Sequence, residues 1–510
     1  MSDERVAALL DSDTPLVVIE APAGCGKTYQ GAAYAARAAS TLETGRVLIL
    51  THTHAACAAF ATATRATHRK VEIRTIDSLI VQIATAYNKS LALPADVSAW
   101  ARHHPEGGYD KLALGVARLV SCHPMVCEAL VRRYPVVIGD EHQDSNAEQH
   151  ALIMGLLAAG ARTRIFGDPL QGLYPERTKS AVAAERARWD ELKSAGAFDE
   201  LMHPHRWDDG SPELGRWVLE AREALIAGQP IDLSGPLPTG LSVLPVENLA
   251  RKRTGFHLSG EDRKPLDRII NAAPSFLILT SEKDTVTALR AFWKRKYPIW
   301  EGHVRDDLGR MVAQIAATPG DAALIAQAAV DFVGRIAVGF GASTHGDRLV
   351  KEVREGCVKR CRNKPARLQQ LGRLILEQPD HIDVAKCLTN LAQLIDDRVA
   401  GFESIKVDQR REFRDALRLI EFDDPEEGLT EIARRRSFAR PMPTSKAIST
   451  IHKAKGLQCD HAIVVPCDRQ RFPATDYAKR KLYVALNRAK RSLTLVVSRN
   501  DPGPLLYLGT

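Results

Sequence analysis

Residues 16–28 read LVVIEAPAGCGKT. Leu16 to Ile19 are apolar without alternation, the pattern of a strand covered on both faces, as in a parallel sheet. A loop of small residues follows, and then Gly26-Lys27-Thr28. At Ala21, Ala23, Gly24, Cys25 and Gly26 small side chains let backbone N–H groups curl around an anion. The helix expected from Lys27 onward turns its positive end towards the same point. The pattern fits a phosphate-binding loop with Ala21 where a glycine usually stands. Lys27 would bring charge to the β/γ-phosphates, and the Thr28 hydroxyl would ligate Mg²⁺.

Such a loop needs a second strand that delivers a carboxylate. YPVVIGDEHQD at 134–144 supplies one: Val136, Val137 and Ile138 form the buried run, and Asp140 stands at its C-terminal end. Ligands of open α/β sheets bind at that end. Asp140 would hold Mg²⁺, and Glu141 would orient and deprotonate the attacking water.

Comparable runs recur at 47–50, 164–166, 241–246, 276–279, 462–465 and 493–497, separated by Ala- and Leu-rich stretches with helical character. Strand and helix in alternation predict α/β layers with parallel sheets. Two stretches, 86–125 and 301–440, lack buried strand runs and read as helical. The expected organisation is therefore two parallel-sheet α/β cores, each with a mostly helical insertion. The first core takes 1–85 and 126–205, interrupted by 86–125; the second takes 206–300 and 441–510, interrupted by 301–440.

The chain has 510 residues, 45% hydrophobic and 26% charged, which excludes a collagen-like, mostly disordered or disulfide-scaffold protein. Lys+Arg exceeds Asp+Glu by 70 to 62, a mild excess compatible with a nucleic-acid partner. The nine cysteines form no C-x-x-C pair, so they read as scattered thiols in a reducing compartment. No window reaches about 18 uninterrupted apolar residues, and the polar N-terminus does not resemble a secretory signal. A cytoplasmic protein without a membrane partner is expected.

Taken in order, these segments resemble the UvrD/Rep-like helicases of superfamily 1. APAGCGKT at 21–28 resembles motif I, VLILTHTHAACAAF at 47–60 motif Ia, and RTIDSL at 74–79 motif Ib. DEHQDSNAEQ at 140–149 is similar to motif II, FGDPLQGLY at 166–174 to motif III, and HPHRW at 203–207 to motif IV. TIHKAKGLQCDHAIVV at 450–465 resembles motif V and LYVALNRAKRSLTLVV at 482–497 motif VI.

The resemblance implies two RecA-like cores, ATP and Mg²⁺ as ligands, and movement along single-stranded or junction DNA, 3′ to 5′. It implies that Gln171 senses the γ-phosphate and that Arg206 and Arg488 act as arginine fingers. Tyr29 and His205 would lie at the base end of the nucleotide, and Gly456 would allow a tight turn in motif V. By the same resemblance, Thr51, His52, Thr53, Thr75, Tyr174, Thr450 and His452 are candidate nucleic-acid contacts. Such hydroxyls and imidazoles suit phosphate contacts, and a tyrosine suits base stacking.

The chain also departs from the family. His52 stands where motif Ia has phenylalanine, His205 where motif IV has its stacking aromatic, and Glu176 where motif III has a second aromatic. Gln458 and Asn487 replace the usual glutamate of motif V and threonine of motif VI. The chain is short for the family and reaches Thr510 soon after motif VI, so no fused nuclease domain is expected. An alternative follows: short UvrD-like proteins of Gabija-type anti-phage systems serve beside a separate nuclease. On that resemblance the chain would be a nucleotide-sensing ATPase that regulates a nuclease subunit, with little unwinding alone. The basic segment KEVREGCVKRCRNKPAR at 351–367 reads equally as a duplex- or partner-binding surface and as a solvated helix face.

Overall fold

The computed structural model describes residues 2–67, 69–104, 107–173, 179–251, 255–300, 306–438 and 445–509. It divides into two compact units, one of residues 1–297 with 445–510 and one of residues 298–444.

The first unit holds two large parallel sheets. One contains β1 (Leu16–Glu20), β2 (Val47–Thr51), β3 (Val71–Thr75), β4 (Val136–Gly139), β5 (Arg162–Gly167) and β6 (Ala197–Glu200), in the order β3-β2-β4-β5-β1-β6. The other contains β7 (Leu241–Val246), β8 (Phe276–Thr280), β9 (Lys446–Thr450), β10 (Cys459–Cys467) and β11 (Ala489–Ser498), in the order β9-β8-β10-β11-β7. All pairings within both sheets are parallel. Central strands β1, β2, β4 and β8 are buried at every position, as unalternating apolar runs require.

Helices cover the first sheet on both sides. One face packs Val17, Ile19 and Ile49 against Tyr34 and Ala35 of helix Lys27–Thr41. The other packs Val18, Leu48 and Val137 against Leu79, Leu112, Val116 and Leu152. Helices Val97–His103 and Gly108–Cys122, within the stretch expected to form a first insertion, thus share the core of the first sheet. Arg164, fully buried on β5, ties the N-terminal helix Ser2–Leu10 to the sheet. It donates to the carbonyls of Leu10, Ser12 and Thr14 at 2.7–2.9 Å, satisfying groups that a helix end leaves open.

The second unit is built of helices, among them Asp306–Ala317, Ala322–Ile336, Asn363–Glu377 and His381–Asp396. Its core gathers Phe332, Ile336, Leu368, Leu388 and Phe402. Among the described residues, a short antiparallel pairing of Ala337–Val338 with Lys406–Val407 departs from the helical expectation. Among the described residues no single helix is long and apolar enough to cross a membrane.

Candidate nucleotide and nucleic-acid site

The loop after β1 turns sharply. Gly24 and Gly26 both have φ of 84°, a region that L side chains avoid. Gly24 also admits no side chain, because a Cβ there would stand 2.6 Å from the Trp207 ring and 2.8 Å from the Arg206 Cβ. Helix Lys27–Thr41 starts at once, with Gly26 as its cap and no side-chain cap bond, so its first N–H groups face the loop. Ala21 and Cys25 are buried, and burial pushes the Cys25 thiol up to about 12, so it is an inert wall of the loop.

Asp140 and Glu141 leave the end of β4 beside this loop. Lys27 Nζ lies 2.6 Å from Glu141 Oε1. Glu141 also accepts from Gln143 Nε2 at 2.5 Å and has φ of 53°, a left-handed backbone that costs a non-glycine residue about 1–3 kcal/mol. Burial opposes charge on all three groups. Lys27 and Lys455 nevertheless hold Glu141 below the usual carboxylate range, while Glu141 and Asp140 keep Lys27 above its ordinary value. Burial instead pushes Asp140 up, and its Oδ1 has no hydrogen-bond partner. A buried carboxylate oxygen left unpaired at the C-terminal end of a strand, next to a phosphate loop, suits a hard divalent cation.

Further polar contacts continue from this pair. Gln143 Oε1 accepts from the Asp168 amide at 3.0 Å, and Gln171 Nε2 donates to Asp168 Oδ2 at 2.9 Å. Arg222 pairs with Glu20 and reaches Asp168 at 3.4 Å. Burial disfavours the Glu20 carboxylate, but Arg222, Trp189 and Lys193 more than offset it and leave Glu20 below its ordinary value. A cavity of about 270 Å³ lies behind this network, lined by Gln143, His150, Trp189, Arg222 and Arg480. It contains none of the phosphate-loop residues and is not the nucleotide cleft.

The second sheet reaches the loop through motif VI. Tyr483, fully buried, accepts from the Ala23 N–H at 3.0 Å. Trp207 Nε1 donates to the Ala489 carbonyl at 2.7 Å, and the Arg206 guanidinium donates to the carbonyl of Asn487. Arg488 is buried and donates to the carbonyls of Val484 at 2.8 Å and Leu457 at 3.0 Å. Burial, and next the nearby charge of Arg206, hold Arg488 below the ordinary arginine range; burial also lowers Arg206. A buried and a half-buried guanidinium group that repel each other beside a phosphate loop form a site that an anion would stabilise. Motif V adds Lys455, whose Nζ lies 2.7 Å from both carboxylate oxygens of Asp144 in motif II.

The other expected residues fall into three groups. Tyr29 is 74% exposed at the edge of the loop. The His205 ring lies 3.1 Å from where a Cβ on Gly26 would stand, and Gly456 has the φ of 82° that its turn requires. Several candidate nucleic-acid contacts are engaged within the fold. Thr51 is fully buried and donates to the Thr53 carbonyl at 3.1 Å, so its side chain supports the loop from inside rather than facing a strand. Thr53 and Thr75 cap helices by accepting from Ala56 and Ser78, and Thr450 accepts from Lys453. His52 Nε2 meets Ser145 Oγ at 3.1 Å, and burial lowers its pKa. His452 Nε2 meets the Tyr477 hydroxyl at 2.7 Å. Tyr174 lies outside the described residues.

Sequence reasoning assigned no role to Glu20, Asp168, Arg222, Lys455 or Tyr483. Glu20, Asp168, Lys455 and Tyr483 stand inside the quoted segments, which is the signal available. Arg222 carries no motif and emerges only from the fold.

Comparison with known proteins agrees with the two ends of this site. An AAA domain model matches residues 4–176, and a UvrD-like helicase C-terminal domain model matches residues 447–496. A search of curated proteins gives no match. These matches bring nucleotide binding, ATP hydrolysis and interaction with nucleic acid as properties of the helicase domains. With two parallel α/β sheets meeting at a phosphate loop and the motifs in order, these two matches support a UvrD-like helicase of superfamily 1.

Proposed function

We propose that the chain is a DNA-stimulated ATPase that moves along single-stranded DNA, 3′ to 5′. The observation that carries this reading is the pair of contacts between the two cores. Tyr483 on the second core holds Ala23 of the phosphate loop, and Lys455 of motif V holds Asp144 of motif II. A change at the phosphates is therefore one contact away from the second core on either side. In a motor, phosphate chemistry must alter how the cores meet, and such contacts are the means.

Asp140 and Thr28 would hold Mg²⁺, which would supply charge neutralisation for the bound phosphates. Lys27, paired with Glu141, would turn to the phosphates and release Glu141 as base for the attacking water. Arg206 and Arg488 would stabilise charge on the phosphoryl group in transfer, a contribution of about 10³–10⁵ in rate for comparable arginines. Gln171, held by Asp168, would respond to loss of the γ-phosphate. His52, Thr53, Thr75, Thr450 and His452 would line the strand's path, with backbone phosphates as their targets.

His52 favours a second reading. Its imidazole is held by Ser145 where a helicase of this family offers a stacking ring, and stacking contributes about 1–3 kcal/mol per base. A weaker grip on single strands suits a regulatory ATPase that controls a partner nuclease in anti-phage defence. Strand displacement by the isolated chain separates the two. Unwinding of a duplex with a 3′ single-stranded tail, and not of one with a 5′ tail, supports the motor. ATP hydrolysis without unwinding of either supports the regulator.

A further inference from the structure

His203, His205 and Asp208 stand on the short turn that carries Arg206, and their donor atoms all lie within 4.8 Å of one another. His203 Nε2 is 3.1 Å from Asp208 Oδ1 and 3.2 Å from Oδ2, and His205 Nδ1 is 3.3 Å from Asp208 Oδ2. A tetrahedral site with bonds of about 2.0 Å has ligand-to-ligand edges of about 3.3 Å. The two His-to-Asp208 separations match such edges, and the two histidine nitrogens lie within 4.8 Å of each other.

The second ring nitrogen of His205 strengthens the case. Its Nε2 lies 2.6 Å from Asp3 Oδ2, at the start of the N-terminal helix. In the tautomer that carries its proton on Nε2, towards Asp3, the Nδ1 lone pair would face Asp208 and be available to a metal. A metal cation between those two atoms, 3.3 Å apart, would take the place of a proton. A carboxylate that accepts from the far nitrogen of a ligating histidine is the usual outer partner at zinc sites, fixing the ring and its tautomer. Two imidazoles and one carboxylate select a zinc-class ion over Mg²⁺, which prefers oxygen ligands.

We propose that His203, His205 and Asp208 bind a divalent transition metal of the zinc class, with Asp3 orienting His205. The site is distinct from the Mg²⁺ position at Asp140. It would brace the turn that presents Arg206 and Trp207 to the phosphate loop and fasten that turn to the helix Ser2–Leu10.

Co²⁺ titration of the purified full chain tests this, because tetrahedral Co²⁺ gives visible d–d absorption. One equivalent should bind with a tetrahedral band and be displaced by one equivalent of Zn²⁺. His203→Gln and Asp208→Asn, both at exposed side chains, should each weaken binding more than about tenfold, with the far-UV circular dichroism unchanged. Asp3→Ala should weaken it by about 10–100-fold, which a chance surface ion would not show. Asp140→Asn should leave the band intact. The proposal is overturned if no tetrahedral band forms, or if the band survives both His203→Gln and Asp208→Asn. It is overturned equally if the band carries thiolate charge transfer, which would place the ion on cysteines, or if Asp140→Asn removes it. If the chain binds no ion and nitrogen NMR shows His205 protonated at both ring positions, the cluster is a set of His–Asp ion pairs and the proposal fails.

Discussion

Lys27 and Glu141 neutralise each other across 2.6 Å, so one side chain both blocks and serves the phosphate lysine. Replacing Glu141 by glutamine removes that competing charge but also the base. Glu141→Gln should therefore bind ATP at least as tightly as the native chain, while hydrolysis falls about 10²–10⁴-fold. Nucleotide titration and single-turnover hydrolysis check the two halves separately; unchanged hydrolysis would remove Glu141 from the reaction. Nearby, His142 Nε2 and His150 Nδ1 meet at 2.9 Å. Burial, then the charge of Arg188, pushes His150 down to about 4 from an unfolded value near 6.5. Between these values the unfolded chain binds a proton that the folded chain refuses. Stability is thus full above about pH 6.5 and declines as pH falls towards about 4. Burial also lowers His142, in the same direction. Urea unfolding at pH 7 and pH 5 should show the loss, and His150→Gln should narrow it; an equal loss in the variant would count against the histidine origin.

Among the elements, the phosphate loop is the most tightly specified. A Cβ on Gly24 would meet both the Trp207 ring and Arg206 at a φ of 84°, so Gly24→Ala should cost about 1–3 kcal/mol and weaken ATP binding with it. Urea unfolding and nucleotide titration of the variant read both effects. The same scale shows where sequence reading succeeds. The runs at 16–19, 47–50, 136–138 and 276–279 lie within strands covered on both faces, and their uninterrupted apolar character exposes them directly. Three strands of the large sheets escape it: Val71–Thr75, Ala197–Glu200 and Lys446–Thr450. All three are sheet edges. An edge strand is half solvated, so residues such as Glu72, Arg74, Asp199 and Lys446 interrupt the apolar signal. At the site, the loop, its lysine and the two carboxylates are legible because they are local in sequence. The contacts of Tyr483 with Ala23 and of Lys455 with Asp144 span 460 and 311 residues, and only the fold brings them together. The reverse failure is Thr51, where a motif position suggests a surface contact but the end of a central strand buries the hydroxyl.

At the scale of the whole molecule, the unit of residues 298–444 has a hydrophobic core of its own. Units with separate cores unfold as separate cooperative transitions. Calorimetry should resolve more than one transition. Phe332→Ala, at a side chain 1% exposed, should lower one of them by about 3–5 kcal/mol and leave the other in place. A uniform shift of both would show a single cooperative unit. The first unit carries the nucleotide cleft and both sets of helicase motifs, and its function depends on whether nucleic acid speeds the chemistry between the two sheets. Steady-state ATP hydrolysis, with and without single-stranded DNA, in the native chain and in Lys27→Ala, reads this most directly. Strong stimulation by DNA that disappears in the variant is the expected result. Hydrolysis indifferent to DNA, or hydrolysis that survives Lys27→Ala, would contradict a DNA-driven motor built on this loop.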